Sequence, residues 1–202
     1  MDTRELIIQK SFILFLKNGF KEVSINKIIH SCDLSKGAFY HHFESKEQVY
    51  MEVINRFFFF YFRKQNVFYS VDISLAEKLK RFEKSFIDPY EEIANLLKSE
   101  QLTSYFRFLF QAASNYEELR KRVNIHFYRK GYYLYQILET AKEVGEIRSD
   151  IDTEITARQL LSMLIGETIL DGIYTIDALK KNIHTVIFNY YSLLKKTASD
   201  EK

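Results

Sequence analysis

Apolar residues recur at helical spacing along almost the whole chain, and only one proline and six glycines interrupt them in 202 residues. A 3.6-residue period sustained this far leaves no stretch for a sheet, because strands alternate at a period of two. The breaks also carry capping chemistry. Asp2 with Glu5 predicts a capping box that opens a helix running to Asn18–Gly19, with Leu6, Ile7, Phe12, Ile13, Leu16 and Phe20 as its apolar stripe. Ser24 predicts the start of a second helix, with Ile25, Ile28 and Ile29 inward and an end near Ser31. Ser35 starts a third of about two turns, ending near His42–Phe43. Ser45, followed by Glu47 and Gln48, starts a fourth that extends past Arg63.

The remainder continues in the same style. A helix is expected over 74–87, and Asp88–Pro89–Tyr90–Glu91 predicts a fresh start: a cap, proline in the first turn and a reciprocal glutamate. Further helices are expected at 89–98, 101–113, 116–143, 153–172 and 176–197, with Gly145, Asp150, Asp152 and Gly172 at the late breaks. The expected fold class is all-α, without internal repeats.

Charge and cysteine narrow the chemistry. The formal net charge is +2, but residues 1–64 hold 10 Lys and Arg against 7 Asp and Glu, whereas 65–202 hold 19 against 20. Any anionic partner is therefore expected at the N-terminal end. Cys32 is the one cysteine, which excludes an intramolecular disulfide and a thiolate-rich metal site and suits a reduced cytosol. The run Phe57–Phe62 lies between Arg56 and Arg63–Lys64 and is far shorter than the ~20 residues that span a bilayer, so no membrane partner is expected and the location is read as cytoplasmic. A glycine-rich phosphate loop, a His-Glu-x-x-His motif, a nucleophile elbow and a cysteine–histidine framework are all missing from the sequence. No enzyme, cofactor or metal is expected.

The informative stretch is 24–47. Two short helices separated by Cys32–Asp33–Leu34 read as a helix-turn-helix, with Asp33 able to take left-handed geometry and Leu34 turned between the helices. The third helix presents Ser35, Lys36, Gly37, His41 and His42 outward and buries Phe39 and Phe43. A capped N-terminus with a cation and a glycine suits close approach to a major groove. Ser24, Ile28, Leu34–Ser35–Lys36–Gly37, Tyr40, Phe43 and Ser45–Lys46–Glu47 together resemble the DNA-binding signature of TetR-type transcriptional repressors. The sequence departs from that signature at Ile29, where a smaller residue is usual, and at the Cys32–Asp33 turn.

The resemblance implies an N-terminal DNA-binding domain over 1–47, a connecting helix over about 46–66, and a ligand-binding and dimerisation domain over 65–202. Phosphate contacts are then expected from Ser24, Tyr40, His42 and Lys46, and base reading from Lys36 and His41, with Ser35 as cap and Gly37 allowing approach. The partner would be double-stranded palindromic operator DNA. The aromatic side chains Phe58, Tyr61, Tyr105, Phe106, Phe110, Phe127, Tyr128 and Tyr132 are candidates to line a pocket for a small lipophilic ligand, either a lipophilic cation or a long neutral or acyl molecule. The last two helices carry more apolar positions than one internal face needs. Leu160, Leu164, Ile165, Ile169, Ile183, Ile187, Tyr190 and Leu194 are the expected homodimer seam. The function implied is a transcriptional regulator, a repressor released from its operator by ligand. The alternative is a DNA-binding adaptor of the same fold controlled by a protein partner.

Overall fold

The computed structural model describes residues 2–59, 73–98, 102–171 and 175–196, apart from the side chains of 58, 59 and 171. The described residues form nine α-helices: α1 (Thr3–Asn18), α2 (Ile25–Cys32), α3 (Lys36–His42), α4 (Lys46–Ile54, continued by a π-turn Asn55–Phe59), α5 (Leu75–Leu97), α6 (Thr103–Asn115), α7 (Glu117–Glu143), α8 (Thr153–Asp171) and α9 (Ile176–Leu194). A single antiparallel bridge, Ile147 to Lys195, is the extent of sheet pairing among them. The class is all-α. The continuation of α4 past Arg63, the break at Gly172 and the side chains of Phe58 and Tyr61 lie outside the described residues.

The chain divides into two compact units, residues 1–66 with Ser104–Ala112, and residues 67–103 with 113–202. In the first, α1 packs on α2 and α4. Its buried row is Ile7, Ile8, Ser11, Phe12, Phe15 and Leu16, while Leu6, Ile13 and Phe20 of the expected stripe are only half-buried. The true stripe is rotated by about one residue, because aromatic partners select it: Phe12 stacks on Phe57 at 4.0 Å and Phe15 meets Tyr50 edge-on at 5.2 Å. Each such ring contributes about 1.5–3 kcal/mol by burial. Asp2 takes the cap position of α1 without a side-chain bond, so the expected capping box does not form; Glu5 instead pairs with Arg56 at 3.1 Å. Phe108 of α6 belongs to this unit and reaches Phe12 and Tyr50, 6.0 and 5.3 Å between centroids. Arg107 beside it donates to the Leu16 carbonyl at 3.0 Å, filling one acceptor that the end of α1 leaves open.

The second unit packs α7 against α8, α8 against α9, and α5 against both α9 and α7. The expected break at Asp88–Pro89 is absent: α5 runs through Pro89. Asp88 pairs with Lys84 at 3.1 Å and Glu91 pairs with Lys180, so neither serves as a cap. Proline removes the N–H that would bond the Ser85 carbonyl. The buried Lys130 of α7 donates to that carbonyl at 3.5 Å, and Phe82, Phe86 and Tyr90 bury one face of the helix across the site. Packing and this substitute donor outweigh the local stop signal.

Leu160, Leu164, Ile183, Ile187 and Leu194 are buried within the chain's own packing. These five side chains of the expected seam are packed within the chain itself, so the apolar surface that α8 and α9 leave free is formed by other positions. Ile165, Ile169 and Tyr190 are half-buried. The apolar side chains left outside on these helices are Ile155, Met163, Leu170 and Leu193, the last two 60% and 63% exposed.

Candidate nucleic-acid interface

Two serines set the local structure of the candidate site. The Ser24 hydroxyl accepts from the Lys27 N–H at 3.2 Å and the Ser35 hydroxyl from the Ala38 N–H at 3.1 Å, each cap contributing about 1 kcal/mol. Between them Asp33 adopts φ 55°, ψ 45°, and the N–H groups of Asp33 and Leu34 return to His30 and Ile29, both at 3.2 Å. A short polar side chain tolerates this left-handed geometry, which turns the chain sharply from α2 into α3. Phe39 and Phe43 are buried beneath α3, and Cys32 is buried at the end of α2. Burial raises the Cys32 thiol above its ordinary pKa, against a lowering hydrogen bond from Ser31 and the charge of Lys10.

What α3 leaves outside is Lys36, Gly37, Tyr40 and His41, preceded by the exposed Ser35. A Cβ on Gly37 would lie 4.0 Å from its nearest neighbour, so nothing within the chain requires glycine there. The Lys36 ammonium lies 6.0 Å from the Tyr40 ring centroid, and Tyr40 packs edge-on against Phe39 at 5.4 Å with 45% of its surface free. His42 is half-buried beside His41, with 5.0 Å between the rings. No group of three or more His, Cys, Asp or Glu side chains placed to hold a metal occurs among the described residues.

Lys46 differs from the other expected phosphate contacts. Its ammonium donates to the Phe20 carbonyl at 2.9 Å and sits 4.2 Å from the Phe20 ring centroid, so it ties α4 to the turn after α1. The Gln48 side chain accepts from the Glu44 N–H at 2.7 Å and Ser45 caps the Gln48 N–H at 3.1 Å, a box displaced by one residue from the expected one. Asn26 and Lys27, in the first turn of α2 beside Ser24, are exposed and were not among the expected contacts. Their place in a capped first turn is the signal that could have found them.

The expected ligand residues separate. Tyr105 and Phe106 are buried and Phe110 is 52% exposed, all three within the Ser104–Ala112 part of the first unit. Phe127, Tyr128 and Tyr132 instead line a cavity of about 530 Å³ in the second unit, together with Gly131, Tyr135, Glu154, Arg158 and Leu161. Tyr128 and Tyr132 are 72% and 48% exposed, so the expected aromatic interior is in part an aromatic rim. Gly131 lets α7 approach α8, since a Cβ there would lie 3.3 Å from Leu161.

The comparisons agree with this geometry. Residues 7–53 match the model of the bacterial regulatory proteins of the tetR family. Over 46 residues the chain is 50% identical to the HTH-type transcriptional regulator YerO of Bacillus subtilis (strain 168), a match covering 23% of this chain and 16% of that protein. Over 172 residues it is 27% identical to the HTH-type transcriptional regulator UidR of Escherichia coli (strain K12), covering 81% of this chain and 79% of that one. Among solved structures, a complex of SmeT with triclosan superposes with a TM-score of 0.67 at 17% identity, over 97% of this chain and 93% of that one.

Proposed function

We propose that this chain, which belongs to the TetR-type DNA-binding transcriptional regulators and is not an enzyme, acts as a dimeric repressor that a small ligand releases from its operator. The observation that carries the reading is the capped α2–Asp33–α3 turn with Lys36, Gly37, Tyr40 and His41 on the free side of α3. Lys36 and His41 would read base edges. The hydroxyls of Ser24 and Tyr40, with Lys27, His42 and Lys46, would hold phosphates and fix the register. Gly37 finds its use here, because a side chain would stand between the helix and the groove.

Dimerisation supports the operator geometry. Ile155, Gln159, Met163 and Leu170 share one face of α8, and Leu193 lies with Tyr190 on α9, whose hydroxyl donates to Gln159 at 3.0 Å. These apolar positions stay exposed among the described residues and suit an isologous four-helix seam. Gly166 lies on the same side, where a Cβ would meet nothing within 4 Å. Two α3 helices related by that axis would enter successive major grooves ~34–36 Å apart. Control by a small molecule is supported by the tyrosine-lined cavity and by the triclosan complex of SmeT.

The test is to crosslink the chain to DNA in its source cell, sequence the recovered fragments and titrate the best of them. The reading expects a palindrome with half-sites one helical turn apart, bound by two chains. Recovery of fragments without a common sequence would reject it.

A further inference from the structure

One surface of α7, formed by Phe127, Tyr128, Gly131, Tyr132 and Tyr135, faces one surface of α8, formed by Glu154, Arg158 and Leu161, across the 530 Å³ cavity. That size lies in the range of small-molecule sites. Tyr128 and Tyr132 stack with centroids 6.4 Å apart and planes 16° from parallel, and Tyr135 follows at 6.1 Å from Tyr132 with its plane tilted by 44°. The parallel phenol faces of Tyr128 and Tyr132 favour a flat, unsaturated ligand body.

The two charged side chains in the wall are not equivalent. Glu154 stands in the first turn of α8, where a carboxylate answers the positive end of the helix and so has a structural use. Arg158 has no carboxylate within ion-pairing distance among the described residues, although it sits one turn beyond Glu154. The surroundings add to its charge. Over 117–129, α7 carries Arg120, Lys121, Arg122 and Arg129 against Glu117 and Glu118. Lys121 pairs with Glu117 at 2.9 Å. A cation placed among the tyrosines would meet this field as repulsion, whereas an anion would gain from it. A guanidinium also offers a planar fork that matches a carboxylate, and phenol hydroxyls add donors at the rim.

We propose that the crevice between α7 and α8 takes a planar aromatic carboxylate, its ring against Tyr128, Tyr132 and Tyr135 and its carboxylate on Arg158. The assignment deepens the ligand-release reading and rests on it only for the consequence of binding.

Calorimetric titration of the full chain with 2-naphthoate, 2-naphthamide and 2-naphthylmethylammonium tests it. The carboxylate should bind at least tenfold tighter than the amide or the ammonium. Arg158→Gln, a change at an exposed position, should remove that preference, and Tyr132→Ala should weaken whatever binding remains. Equal affinity for the three probes, undiminished naphthoate binding by Arg158→Gln, or no binding of any probe would overturn the proposal. Repeating the titration on the operator complex separates the two levels. Arg158-dependent binding that leaves DNA affinity unchanged upholds the site and rejects ligand release. Release by one of the other probes without Arg158 dependence upholds release and rejects the site.

Discussion

Replacing Lys130 by methionine should stabilise the protein at neutral pH and destabilise it at high pH. Lys130 is buried on α7, 5.4 and 5.3 Å from the ring centroids of Phe82 and Phe86, with its ammonium on the Ser85 carbonyl that Pro89 leaves without a helical partner. Burial pulls its pKa from the ordinary 10.5 down to about 7. A lysine with a depressed folded pKa binds fewer protons folded than unfolded between those values, so stability rises as pH goes from about 7 to 10.5. At about 1.4 kcal/mol per pKa unit, keeping this amine in the core costs on the order of 4 kcal/mol at pH 7 and about 1 kcal/mol at pH 10. Methionine removes that cost but leaves the Ser85 carbonyl unmet, which costs about 1–3 kcal/mol. The substitution should therefore gain about 1–3 kcal/mol at pH 7 and lose up to about 2 kcal/mol at pH 10. His126, held down to about 3 by burial first and then by the charges of Lys130 and Arg129, titrates below this window in the folded chain. Burial also raises Tyr90 and Cys32, which lose stability at high pH, but they do so in both proteins and cancel in the difference. Urea unfolding of both proteins at the two pH values, at one protein concentration, reads the effect. A difference of the same sign and size at pH 7 and pH 10 would refute the reasoning.

Further outcomes follow from the same structure. Lys36→Ala should cost about 1–3 kcal/mol on the specific operator and little on random DNA, read by fluorescence anisotropy. An equal loss on both would remove Lys36 from base reading. Lys46→Ala should weaken binding about equally on all sequences and lower the salt slope by roughly one unit. It should also lower the melting temperature, because the Phe20 carbonyl loses its donor. Leu193→Asp should give a folded monomer by sedimentation, whereas Leu164→Asp, in the core, should prevent folding. Asp33→Val should cost about 1–3 kcal/mol by forcing a β-branched residue to positive φ, and Asp33→Gly should be tolerated, as thermal unfolding would show.

The part of the molecule that sequence makes legible is the part whose structure is local. Ser24, Ser35 and Ser45 cap the helices they announce, and Asp33 turns as its short polar side chain allows, because caps and turns are decided within four residues. Pro89 misleads for the opposite reason. Its stop signal is local, but the donor that neutralises it, Lys130, lies on another helix, 45 residues from the Ser85 carbonyl it meets. The attachment of Arg107 and Phe108 to the first unit is likewise invisible to periodicity, since nothing near α6 in sequence marks which unit it joins. Burial divides the residues of the expected seam. An apolar residue on α8 or α9 can be inside one chain or between two, and pattern alone does not separate Leu164 from Leu170. The expected pocket residues divide in the same way: Tyr105 and Tyr128 carry the same side chain, but Tyr105 is buried in one unit and Tyr128 stands at the rim of the cavity in the other.

The most direct measurement is the affinity of the full chain for its recovered operator against a scrambled duplex of equal length and composition, both at one physiological salt concentration. The account predicts at least a thousandfold preference for the operator, two chains bound per palindrome, and loss of that preference when α3 carries Lys36→Ala with His41→Ala. Equal affinity for the two duplexes, or a preference that survives the double substitution, would contradict the assignment of α3 as the element that reads DNA.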